Sequence, residues 1–130
     1  MKITYMYGGL IVLLVVGLVV MRQYSNKKVT PLPETPYDVF AQCLTDVGAK
    51  FYGAYWCPHC QNQKKLFHDS PKLPYIECST PNGQGQTKIC ADAGISSYPT
   101  WVFADGTTGD GEQTFEQLSA KTNCPVPQLP

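Results

Sequence analysis

The sequence predicts an α/β domain, a mixed central sheet flanked by helices, preceded by one apolar helix. Three observations carry this. Residues 3–21 (ITYMYGGLIVLLVVGLVVM) form an unbroken uncharged run. Beyond them, short apolar strands alternate with amphipathic stretches, and the chain then closes with a hairpin and a last helix. Cys57-Pro58-His59-Cys60 sits where an aromatic strand gives way to a helix.

The apolar run nearly spans a hydrocarbon core at helical rise and reads as an N-terminal transmembrane anchor over residues 1–22. A cleaved signal peptide is the alternative, but the run is long for one and no small-residue cleavage site follows it. Lys2 precedes the run, and Arg22, Lys27 and Lys28 follow it. Read literally, that asymmetry would place the C-terminal domain in the cytoplasm. Six cysteines in 130 residues argue for an oxidising compartment instead. They carry more weight, because the N-terminal flank is too short for charge counting. The domain is therefore expected on the extracytoplasmic side. Residues 23–35 contain Pro31 and Pro33 and read as a semi-extended stalk.

The domain is expected over residues 36–124, with an irregular tail at 125–130. Thr35-Pro36-Tyr37-Asp38 has the pattern of a helix start, and Val39, Phe40, Cys43, Leu44 and Val47 recur at helical spacing before Gly48. Lys50–Trp56 reads as a buried aromatic strand. A second helix begins at Cys57 or Pro58 and runs to about Asp69. Pro74–Cys78 is a strand, residues 79–86 a turn-rich loop, and Thr87–Ala93 a short helix ending at Gly94. Thr100–Ala104 is a third strand, Asp105-Gly106 turns into a fourth, and Thr114 with Gln117 forms a capping box for the last helix.

Equal numbers of basic and acidic residues, ten each, leave no basic stripe for nucleic acid and no acidic tail. The chemistry lies in the cysteines. A thiolate is the nucleophile in disulfide exchange, and a helix N-terminus favours it through free N–H groups and the helix dipole. Two intervening residues bring both sulfurs onto one turn. Pro58 costs little at the first helical position, and His59 adds a donor or a cation near the sulfur. Cys57 is the expected attacking residue, and Cys60 the expected resolving one. Trp56 either shields the sulfurs and meets substrate or packs into the core. A zinc site would need Cys78 and Cys90 as further ligands, at a spacing unlike zinc ribbons. Neither a metal nor an organic cofactor is expected. Tyr98-Pro99, just before a strand, is either an ordinary trans pair or a cis turn beside Cys57 that binds extended peptides. His68 is read as solvated and without a role; Asp105, Asp110, Glu112 and Glu116 as turn and cap residues; Phe51, Tyr52, Tyr55 and Trp101 as core.

The pattern W-C-P-H-C after a strand, with Y-P-T some forty residues later, resembles the thioredoxin superfamily. Phe51–Lys65, Leu73–Cys78 and Tyr98–Trp101 look more closely like the thioredoxin-like domain fused to bacterial vitamin K epoxide reductase homologues. The resemblance implies that Pro99 is cis, that Cys57 and Cys60 are the redox pair, and that Cys78 and Cys90 form a second disulfide. The four-helix quinone-linked domain of those fusions is missing from this sequence, so the expected oxidase is another membrane protein. Phe51 stands near the place of thioredoxin's buried acid, which weakens a reductase reading. Cys43 and Cys124 are extra to the pattern and are candidates for a staple between the first helix and the C-terminal end. The expected activity is oxidation of cysteines in exported proteins. A disulfide reductase and a non-catalytic peptide-binding module are the rivals.

Overall fold

The computed structural model describes residues 2–25 and 33–128, and within the first stretch the side chains of residues 11–22. Two compact units result, Met1–Leu32 and Pro33–Pro130. In the first, helix α1 spans Lys2–Ser25, three residues past the expected end of the anchor. Every side chain described in it is exposed. Among the described residues no helix is long and apolar enough to cross a membrane. The expected stalk lies mostly at 26–32, outside the described residues.

The second unit runs α2 (Pro36–Asp46), β1 (Lys50–Gly53), α3 (Pro58–Leu66), β2 (Tyr75–Glu77), α4 (Lys88–Asp92), β3 (Thr100–Val102), β4 (Thr108–Asp110) and α5 (Phe115–Thr122). This is the element order expected from the sequence. The sheet order is β2-β1-β3-β4, with β1 and β2 parallel and the other pairs antiparallel. A mixed four-stranded sheet flanked by helices in this way fits a thioredoxin-like fold.

Helix α2 begins where the sequence indicates, with Thr35 and Asp38 in a reciprocal capping box and Pro36 in the first turn. Ser70 Oγ donates a further hydrogen bond to Asp38, tying the start of α2 to the segment after α3. Glu34 pairs with Lys72. Residues 33–35 therefore belong to the domain rather than to a stalk. Thr114 and Gln117 cap α5 in the same reciprocal manner.

In-register aromatic pairs hold the sheet. Phe51 faces Trp101 on β3 and Tyr75 on β2. Its ring stacks on Trp101 at 5.0 Å and meets Tyr75 edge-on at 5.1 Å. Phe40 of α2, Phe67 after α3 and Phe115 of α5 close over this layer in edge and stacked contacts. Alternation along β1 sends Tyr52 to a second cluster with Cys78, Cys90 and Ile95.

The strands end earlier than expected. Ala54–Cys57 forms a turn, with Cys57 N–H donating to Ala54 O, so β1 stops at Gly53. Phe103 accepts from Gly106 in the next turn, so β3 stops at Val102. Helix α3 ends at Leu66 rather than near Asp69, because His68 and Asp69 take positive φ of 51° and 54°. His68 is not merely solvated: its ring stacks on Tyr37 at 4.1 Å. Tyr55 is half-exposed rather than core.

Two disulfides staple the unit. Cys43–Cys124 closes 81 residues and joins α2 to the segment after α5. Cys78–Cys90 closes 12 and joins the end of β2 to α4. The tail is irregular as expected, yet Val126 packs against the core.

Loop-closure entropy predicts that replacing Cys43 and Cys124 by serine costs about 4.5 kcal/mol, against about 3 kcal/mol for the Cys78 and Cys90 pair. Urea unfolding of the two double variants checks the order. A second expectation concerns acid. Hydrogen bonds from Ser70, then Thr35, hold the Asp38 carboxyl below its ordinary value. A folded pKa below the unfolded one contributes stability above about pH 3.9 that is lost as pH falls through the folded value. The thermal midpoints of the wild type and Asp38→Asn should therefore differ at neutral pH and converge in acid.

Candidate redox site

Cys57 is the N-cap of α3, extended at φ −77° and ψ 120°, with Pro58 in the first turn. It accepts no side-chain cap bond, so its sulfur stands at the positive end of the helix. Its thiol donates to Tyr98 O at 3.6 Å. The Tyr98-Pro99 peptide is cis, and Pro99 is fully buried. The strand–helix junction and the proline turn, 41 residues apart in the chain, thus meet at one sulfur.

Cys57 and Cys60 are both free thiols. Cys57 retains only 5% of its surface, against the Tyr98 turn, and Cys60 retains 1%. Burial, then the hydrogen bond with Cys57, pushes the Cys60 thiol up to about 12. At neutral pH Cys60 is a proton-bearing thiol.

Gly53 explains how Cys60 sits so deep. A Cβ built at residue 53 would lie 2.9 Å from Cys60 Sγ and 2.9 Å from Tyr75 Cε2. The missing side chain is the space that the sulfur fills. Tyr75 Oη donates to Glu77 Oε2 at 2.7 Å, and burial followed by this carboxylate pushes the phenol up. Glu77 Oε1 accepts from the backbone N–H groups of Tyr55 and Ser79.

Trp56 is half-exposed, which removes the core-packing alternative. Its Nε1–H donates to Ser79 Oγ at 2.8 Å, and its ring meets Tyr98 edge-on at 6.1 Å. Tyr98 Oη in turn accepts from Gln86. The 79–86 loop, anchored by Cys78–Cys90, therefore holds both aromatics that flank Cys57. That disulfide also removes the two ligands a zinc site would need. No group of three or more His, Cys, Asp or Glu suited to a metal occurs among the described residues.

His59 lies on the exposed side of α3, and its Nδ1 is 2.6 Å from Glu112 Oε1. Glu112, read from the sequence as a turn residue, thus belongs to the site. Gln63 joins it indirectly: buried, it donates to Gln113 O at 3.0 Å and accepts from Gln113 N–H at 2.6 Å. No local pattern signals either residue, since these contacts cross about fifty positions of chain.

No family model matches the chain. Over 100 residues, 72% of this chain, it is 38% identical to the thiol-disulfide oxidoreductase LTO1 of Arabidopsis thaliana. The chain spans about a quarter (26%) of that relative's length.

Gly53→Ala should force Cys60 and Tyr75 apart, at a cost of about 1–3 kcal/mol. Thermal unfolding checks the stability, and alkylation of Cys60 at neutral pH, slow in the wild type, should accelerate.

Proposed function

We propose that this chain is a membrane-tethered thiol-disulfide oxidoreductase that oxidises cysteines of exported proteins through Cys57 and Cys60. The observation that carries it is Cys57 at the start of α3, over a buried Cys60 and against the cis Tyr98-Pro99 turn. Relation to a protein named for thiol-disulfide exchange supports the same activity.

The reaction begins from the Cys57–Cys60 disulfide. A substrate thiolate attacks Cys57 Sγ; the Cys57–Cys60 bond breaks, and Cys60 leaves with the electron pair and takes up a proton. The substrate's second thiolate then attacks the sulfur bound to Cys57 and releases Cys57 reduced. Two electrons pass from substrate to protein. Trp56 and Tyr98 supply the surface against which the substrate lies, and Pro99 sets the backbone of that groove.

Burial raises the Cys60 thiol to about 12, which slows it as the nucleophile of a reductase and equally as the leaving group of an oxidase, so the direction rests on position 51. Phe51, buried in β1, supplies no acid to take the Cys60 proton.

The exposed apolar side chains from Ile11 to Met21 support a membrane tether, since water disfavours such a face. Two disulfides support an extracytoplasmic location. Reoxidation is assigned to a quinone-linked membrane oxidase of the vitamin K epoxide reductase type. The greater length of the matched relative supports a domain of this kind working beside further polypeptide.

The test is the reduction potential of Cys57–Cys60 in glutathione buffers. The expected value lies toward roughly −120 to −180 mV. A value at or below thioredoxin's approximately −270 mV would make the protein a reductase. Full function in a Cys57→Ser, Cys60→Ser double variant would leave only a peptide-binding module.

A further inference from the structure

The segment from Gly111 to Gln113, between β4 and α5, is held at three points. Gly111 N–H donates to Pro99 O at 2.8 Å, so it hangs from the cis-proline turn. Gln113 exchanges two backbone hydrogen bonds with the buried Gln63 side chain. Trp101 Nε1–H also reaches Gln63 Oε1, at 3.4 Å. Between these anchors Glu112 has little freedom, and its Oε1 is directed onto α3. There it accepts from Asn62 Nδ2 at 3.2 Å and meets His59 Nδ1 at 2.6 Å.

An ionised carboxylate only accepts hydrogen bonds. Hydrogen bonds from His59, then Asn62, hold the Glu112 carboxyl below its ordinary value, so it is ionised at neutral pH. The nitrogen facing it must therefore carry a proton. In the neutral imidazole this leaves Nε2 as the free acceptor; in the imidazolium both nitrogens donate.

We propose that Glu112 is a positioning residue for the redox site: it fixes the ring of His59 and assigns its proton to Nδ1. His59 is thereby presented, one residue from Pro58 and two from Cys57, with Nε2 as its free nitrogen. This inference rests on the oxidoreductase reading and adds to it the residue that orients His59. It also couples the site to the cis-proline turn, because one short segment touches both Pro99 and His59.

The pair is open to solvent, with His59 70% and Glu112 42% exposed at the side chain. The effect on exchange is accordingly modest, about two- to fivefold in rate, the range an exposed charge pair supports.

The experiment compares wild type, Glu112→Ala, His59→Ala and the double variant in the full chain. Labelled-histidine NMR reads the ring nitrogens directly, and His59→Ala identifies the His59 signals among the two histidines. The expected result is a neutral His59 protonated at Nδ1 in the wild type and at Nε2 in Glu112→Ala. Exchange of the reduced protein with a small disulfide at neutral pH should slow about two- to fivefold in Glu112→Ala. That slowing should vanish when His59 is already alanine. The same tautomer in both proteins, or an equal slowing without His59, would overturn the proposal. A wild type with no disulfide exchange would instead overturn the oxidoreductase reading, and the ring signals would still decide whether Glu112 holds His59.

Discussion

Helix α3 lies against β1 at a distance that only glycine at position 53 permits. Cys60 Sγ and the Tyr75 ring both occupy space that a Cβ there would claim. From this close approach follow the burial of Cys60, its reluctance to ionise, and the placing of Cys57 at the rim. The aromatic layer of Phe51, Trp101 and Phe67 makes the approach rigid. The helix cannot move outward without opening that layer, and it cannot move inward past the strand.

The two cysteines are chemically unequal for a structural reason. Cys57 ends a turn and caps a helix, where backbone N–H groups lack partners. Cys60 is one turn further in, with apolar side chains around it. One sulfur sits at a helix end against the Tyr98 turn, and the other is enclosed beneath it. The cis-proline turn completes the division by meeting Cys57 while Trp56 stays half-exposed.

Much of this was legible from local chemistry. Thr35 with Asp38 and Thr114 with Gln117 marked two helix starts, because capping is a contact over three residues. The C-x-x-C at a strand–helix junction marked the site for the same reason. Strand ends were less legible, since Ala54–Trp56 looks like strand in composition and leaves the sheet through a backbone turn. The end of α3 was overrun because nothing in His68-Asp69 forbids a helix; stacking on Tyr37 draws His68 out of it. Glu112 was not legible at all. Its role depends on a loop suspended between Pro99 and Gln63, and such a relation has no sequence period. The contact at Cys57 likewise comes from a turn 41 residues away.

The loop at 79–86 carries one more consequence. Ser79 holds the Trp56 indole, and Gln86 holds the Tyr98 phenol. The loop itself is closed by Cys78–Cys90. The surface beside Cys57 is thus complete only after the chain has lost two thiol hydrogens of its own, at Cys78 and Cys90. A newly made copy therefore depends on an oxidant for Cys78 and Cys90 before that surface exists.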